Sequence, residues 1–288
     1  MANTRIPSPS GRSLGFFGTG DPLADRLVLL CHPTPGCATF DPDPIVTERW
    51  GVHLVALDRP GYGASDPLED PSGASMVERA DELGWFIEQV AKQAGRVSSA
   101  DFSSIGVIGW GTGGAVAAAL AERHPTHVDR LALVGTPGPR DVRKTARRAI
   151  IAPRSIGALH VAPDDPDLAG RLGLRNRLDR MLDEAFRQGK AGIEADRYLM
   201  ADAAWSRNLR SIRADTALFY GARDPGADET DARWFQHRIH GARISLAEDS
   251  GPLVIATQWE AILAHVAPDH GSIPAQHRDQ GLPRLPRV

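Results

Sequence analysis

The 288-residue chain has only two cysteines, Cys31 and Cys37, so no disulfide framework can carry its fold. A zinc site would need a second Cys/His cluster at ligand spacing, which the sequence lacks, and we expect both thiols to be small buried apolar groups with no metal or other cofactor. Charge of one sign is also scarce: 33 Lys and Arg stand against 36 Asp and Glu, a net charge of -3. No basic field is available to hold a phosphate backbone, so no nucleic-acid partner is expected. The longest apolar run, Ala115 to Ala121, falls far short of the roughly 20 residues that cross a bilayer. Met1 to Arg12 is polar and rich in Pro and Ser, without the apolar stretch of a secretory leader. The expectation is a cytoplasmic protein with no membrane association.

What is present is a large core, with 42% of residues hydrophobic. Short apolar runs at Leu27 to Cys31, His53 to Asp58, Ile105 to Gly109, Leu131 to Gly135 and Thr216 to Tyr220 lack polar alternation, as strands covered on both faces do. Helical patterns lie between them. The clearest begins with a Ser75 and Glu78 capping box, continues through Met76, Ala80, Leu83, Ile87, Val90 and Ala94, and is expected to stop at Gly95. Alternating strands and helices predict an α/β fold with a mostly parallel, doubly wound sheet and helices on both faces. From Pro139 to about Arg210 the strand signals cease, and Leu174, Leu178, Met181, Leu182 and Ala185 share one helical face. The organisation expected is a first core part over 1–138, a helical lid over 139–210, a second core part over 211–267, and a tail with little order over 268–288. The lid opens with a basic run, Arg140, Arg143, Lys144, Arg147, Arg148 and Arg154, which we read as a solvated face.

The segment from Gly109 to Gly114 follows a buried strand and opens the apolar helix Ala115 to Arg123, which His124 and Pro125 end. Two chemistries use such a turn. As G-x-G-x-x-G it would seat a pyrophosphate on a helix N-terminus, but the next strand ends in Val134-Gly135-Thr136-Pro137 without the carboxylate a ribose needs, and two strands precede the motif. As G-x-S-x-G it is a nucleophile elbow, with Gly109 and Gly113 in place and Gly111 where the serine would stand.

Three further landmarks decide between them. His32-Pro33-Thr34-Pro35-Gly36 follows the first apolar strand, Asp58-Arg59-Pro60-Gly61-Tyr62-Gly63-Ala64-Ser65-Asp66 follows the second, and Tyr220-Gly221-Ala222-Arg223-Asp224-Pro225 ends a later one. In this order, with the elbow, they resemble the α/β-hydrolase superfamily, in its branch of lid-bearing single-domain hydrolases and esterases, over Gly11 to about Ala267. The resemblance implies the α/β-hydrolase fold, an oxyanion loop at His32 to Gly36, and a triad in the order nucleophile, acid, histidine.

Measured against that pattern, the triad is degenerate. Gly111 has no side chain to attack with, and the loop Glu248-Asp249-Ser250-Gly251-Pro252-Leu253 carries Pro252 where the family has its histidine. Asp224 alone remains. The expectation is a non-catalytic pseudohydrolase that holds a small, mainly apolar ligand near His32, Thr34, Trp110, Thr112 and Gly113, either as a monomer or as a homodimer. The alternative is an enzyme of the superfamily, a hydrolase, lyase or cofactor-independent oxygenase, working through relocated groups such as His32 and Asp224. Thr112 is expected to cap the helix or meet the ligand. Pro33 stands where the family has glycine, which fixes φ and removes one N–H from the oxyanion loop.

Overall fold

The computed structural model describes residues 4–97, 102, 104–139, 154–202 and 204–271. Eight strands form one sheet: β1 (Thr4–Pro7), β2 (Ser13–Gly20), β3 (Leu27–Cys31), β4 (His53–Leu57), β5 (Ile105–Trp110), β6 (Val128–Val134), β7 (Asp215–Gly221) and β8 (Arg243–Ala247). Their order is β1-β2-β4-β3-β5-β6-β7-β8. The first two strands are antiparallel to their neighbours, and β3 through β8 run parallel. Every residue of β3 and β5 is buried, which is why neither shows polar alternation.

Helices cover both faces. One face packs against α2 (Met76–Val97), α3 (Gly113–Arg123) and α7 (Glu229–Gln236). The other packs against α1 (Pro44–Trp50) and α9 (Trp259–Val266), which follows the single turn α8 (Val254–Thr257). Between β6 and β7 the described residues contain helices and no strand: a 3-10 turn at Ile156–Leu159, then α4 (Pro166–Ala169), α5 (Leu174–Ala185) and α6 (Ala191–Leu199). Leu174, Leu178, Met181, Leu182 and Ala185 turn inward and share a cluster with Val28, Ile108 and Trp259, so these helices and the sheet are packed as one core.

The topology also locates a crevice. The chain runs from β3 to β4 on one side and then returns to place β5 on the other, so the carboxyl ends of β3 and β5 diverge at a switch of direction. Open parallel sheets bind ligands at such points. Here the two segments that leave the crevice are His32 to Gly36 and Gly111 to Gly113.

Several expectations change. Gly95 does not end α2, which runs on to Val97; a glycine inside a helix lowers its stability by about 1 kcal/mol relative to alanine without breaking it. The stretch Met1 to Arg12, read as merely polar, supplies β1, which pairs with β2 in an antiparallel extension on the β4 edge. Helix α1 was not anticipated, although Asp43 caps it by accepting from the Ile45 and Val46 N–H groups and Pro44 opens it. Of the basic run, Arg140 to Arg148 lies outside the described residues, as does the tail from residue 272; Arg154 stacks over the Phe186 ring, 5.0 Å from its centroid.

Candidate functional site

The elbow is built by backbone geometry. Strand β5 ends at Trp110, and Gly111 turns the chain with φ +56°, in the left-handed region that side chains with a β-carbon rarely enter. Its N–H donates to the Val134 carbonyl at 2.9 Å, and its own carbonyl accepts from Gly114 N–H at 3.0 Å, so the turn is fixed from both sides. A β-carbon at 111 would lie 3.3 Å from Cβ of Pro33. Gly113 opens α3 so close to β3 that a β-carbon there would sit 2.2 Å from the Cys31 carbonyl oxygen.

Gly111, Asp224 and Pro252 come together around one cavity of about 40 Å³, which Thr34, Trp110 and Thr112 also line. That volume is room for roughly three waters, given about 10–15 Å³ for one. A much larger cavity, about 600 Å³, lies elsewhere, between Arg5, Asp66, Arg187 and Gln188. It is an open polar groove without any elbow residue, and the groups with chemical potential converge on the smaller space instead. Among the described residues no cluster of three or more His, Cys, Asp or Glu is arranged to hold a metal ion. Cys31 and Cys37 are buried and unpaired as disulfides, and burial pushes both thiols up to about 12, so neither is a ready nucleophile at neutral pH.

The place of His32 differs from the expectation. Its ring does not line the elbow cavity; it is 1% exposed, and both nitrogens are engaged. Nε2 accepts from Arg59 N–H at 3.1 Å, which leaves Nδ1 as the donor to the Pro33 carbonyl at 2.9 Å. Burial, then the Arg59 charge, holds its pKa well below the usual value. This neutral imidazole braces the loop from His32 to Gly36, and its two hydrogen bonds leave no nitrogen for a ligand.

Thr34 and Thr112 face the cavity but belong to a buried network that the sequence did not reveal. The Thr112 hydroxyl donates to Thr34 Oγ1 at 2.8 Å, and Thr34 donates to Asp196 Oδ2 at 2.5 Å. Arg59 closes on the same carboxylate through Nε to Oδ1 at 2.8 Å and a terminal nitrogen to Oδ2 at 2.6 Å, and Tyr62 donates to Oδ2 at 2.8 Å. Asp196 lies on α6, so this network ties the elbow, the loop from His32 to Gly36 and the helices above them into one unit. The Thr112 side chain makes no capping bond to α3. Trp110 stacks on Phe40, with ring centroids 5.1 Å apart.

Asp224 stands at the carboxyl end of β7. Its Oδ1 accepts from Gly226 N–H at 2.7 Å, and burial pushes its pKa up to about 7 against the pull of the Gly226 and Ala227 N–H groups. A second titratable group lines the same cavity, and sequence reasoning passed over it: His160, which follows the 3-10 turn Ile156–Leu159. The available signal was that His160 is the only histidine between residues 139 and 210.

Comparison with known proteins agrees with this architecture. A family model described as alpha/beta hydrolase fold matches residues 27–251. A pimeloyl-[acyl-carrier protein] methyl ester esterase of Chromobacterium violaceum is 30% identical over 209 residues, covering 68% of this chain and 74% of that protein. The protein of the same name from Aromatoleum aromaticum is 30% identical over 164 residues, covering 50% of this chain and 65% of that protein, a little under two thirds of its length. Among solved structures, a hydrolase from Pseudomonas aeruginosa superposes with a TM-score of 0.70 at 19% identity, covering 91% of this chain and 97% of that one. An esterase from Exiguobacterium antarcticum gives a TM-score of 0.68 at 17% identity, covering 90% and 96%. With a parallel sheet of this order, an elbow after β5 and a family match across most of its length, this chain belongs to the α/β-hydrolase fold family.

Proposed function

We propose that this protein is a pseudohydrolase: it forms no acyl-serine intermediate, and the cavity over its elbow is a binding site for a small, mainly apolar ligand. The observation that carries this reading is Gly111, a residue without a side chain at the position from which the family's nucleophile attacks. Pro252 supports it, since a pyrrolidine ring can neither take nor return a proton. With nucleophile and base both gone, an acyl-transfer site retains at best an acceleration of roughly 10³ to 10⁴ over water, from binding and oriented donors. Glycine suits an elbow released from chemistry, because a β-carbon held in that conformation costs on the order of 1–3 kcal/mol.

The walls speak for the ligand's character. Pro33, Trp110, Leu159 and Pro252 are apolar, and Thr34 and Thr112 add hydroxyls on one side. A space of about 40 Å³ takes only a few heavy atoms, far below the roughly 300–1,000 Å³ of drug-sized sites. The relatives' names concern ester hydrolysis, and p-nitrophenyl acetate, whose nitrophenyl group would have to lie outside so small a space, serves here as a probe of acylation alone. On rapid mixing we expect slow linear release of nitrophenolate with no burst. A burst of one equivalent would reveal an acyl-enzyme and overturn the proposal. Native mass spectrometry addresses the binding half: a retained small molecule is expected, and a consistently bare chain counts against it.

A further inference from the structure

Two connections far from the elbow bring basic side chains to one place. Arg207 and Arg210 stand just before and within the 3-10 turn Leu209–Ser211, which leads to the amino end of β7. His237 and Arg238 follow the last turn of α7, on the way to the amino end of β8. Because β7 and β8 are parallel neighbours, the two connections meet at the amino edge of the sheet, whereas the elbow lies at the carboxyl edge.

A groove of about 310 Å³ opens between them, lined by Ser206, Arg207, Leu209, Arg210, His237 and Arg238. Its walls are fixed against each other by packing. Leu209 is 1% exposed and belongs to the same core cluster as Phe235 and Ile239, and Trp205 stacks on Phe235 of α7 with ring centroids 6.2 Å apart.

No carboxylate lines this groove. Arg207 and Arg210 have no hydrogen-bond or ion-pair partner among the described residues. Arg238 donates to the Trp234 carbonyl at 3.1 Å, and its guanidinium lies over the Trp234 ring, 4.2 Å from the centroid. Nearby bases do have acids beside them: Arg233 on α7 pairs with Glu229, and Arg130 and Arg243 both reach Asp215. The carbonyl end of α7, which Arg238 caps, supplies negative potential, but a helix end amounts to only about half an elementary charge. Three guanidinium groups therefore keep an excess of about two positive charges. A phosphate monoester carries about -1.5 to -2 at neutral pH, which matches that excess, and guanidinium N–H groups pair with its oxygens two at a time.

We infer that this groove binds a small soluble phosphate monoester, at a site separate from the elbow cavity and independent of what the elbow does. Arg207 and Arg210 hold the phosphate from one wall and Arg238 from the other, with the His237 ring beside it. The volume stands at the lower end of the roughly 300–1,000 Å³ usual for small-molecule sites. None of the lining side chains is an exposed large apolar group able to enter a lipid surface, which favours a free molecule over a lipid headgroup.

The test titrates the protein, in phosphate-free buffer of low ionic strength, with glycerol phosphate, glycerol and acetate while the ring signals of His237 are followed by NMR. Glycerol phosphate should shift them saturably, glycerol should leave them unchanged, and acetate should act far more weakly. The double variant R207Q/R210Q should bind glycerol phosphate about tenfold or more less tightly, as the loss of two charge-assisted contacts requires. R175Q removes one positive charge from α5 without touching the groove and should bind like wild type. Both groove arginines are exposed, so the double variant is expected to fold; should it not, R207Q and R210Q taken singly read the same loss in smaller steps. No saturable shift in wild type, or unchanged affinity in the arginine variants, would overturn the inference. An equal loss in R175Q would do so too, since it would mean general charge attraction and an adventitious ion only. Binding to phosphatidylcholine vesicles that contain phosphatidic acid, without binding to glycerol phosphate, would assign the groove to a membrane surface and overturn the soluble ligand.

Discussion

Asp196→Ala is expected to lower stability by about 3–5 kcal/mol, the usual loss when one partner of a buried ion pair is removed. Arg59, 4% exposed, would keep the His32 and Pro33 carbonyls and Thr34 Oγ1 as acceptors but lose its counter-charge, and the Tyr62 and Thr34 hydroxyls would lose their common acceptor. Each of those buried donors carries its own desolvation penalty once unpaired. Since a domain is stable by only about 5–15 kcal/mol in total, such a loss takes much of the margin. Urea unfolding followed by circular dichroism measures it, and a change under about 1 kcal/mol would show that the network is not what joins α6 to the elbow. Replacing Tyr62 by phenylalanine removes one donor and leaves the ion pair, so a much smaller effect, about 1 kcal/mol, is expected there.

Asp224→Asn should act in the opposite direction, and only above acid pH. Burial raises the folded-state pKa of Asp224 to about 7, whereas the unfolded carboxyl ionises near its ordinary value of 3.8. Between those two values the folded chain binds a proton that the unfolded chain has lost, so this group's contribution to stability falls as pH rises and stays low above about 7. The full shift corresponds to about 4 kcal/mol, and we expect about 2–4 kcal/mol after allowance for partial solvent screening. D224N, which keeps an acceptor for the Gly226 N–H, should therefore be more stable than wild type by that amount at pH 8 and nearly equal to it at pH 4. Asp58, pushed up to about 6 by burial, gives wild type a slope of the same sign; the difference between the two proteins isolates Asp224. A D224N advantage that is the same at both pH values would mean that the carboxyl titrates normally.

The parts of this fold that could be read from the sequence are those in which one physical rule dominates. Strands β3, β5 and β7 are covered on both faces, so their burial is written as unbroken apolar runs. Strand β2 is only half buried and interrupted by glycines, and its pairing with β4 is a tertiary matter that its own residues do not announce. Gly95 misled because a helix whose other positions are favourable can absorb one glycine. At the site, Gly111, Asp224 and Pro252 were placed by motif spacing, and they meet at one cavity. A bracing role for His32 can be read from its place in the loop motif, whereas its two hydrogen-bond partners, a neighbouring carbonyl and the N–H of Arg59, are visible only once β3 and β4 lie side by side. Asp196 could not have been assigned, since it acquires its role from Thr34, Arg59 and Tyr62, far along the chain.

The central claim is that no side chain at this elbow can be acylated. Intact-mass measurement of the wild-type protein after treatment with a serine-directed fluorophosphonate tests it most directly. An unchanged mass, with full recovery of folded protein, is the expected result. Addition of one phosphonyl group per chain, mapped to any side chain around the cavity, would contradict it.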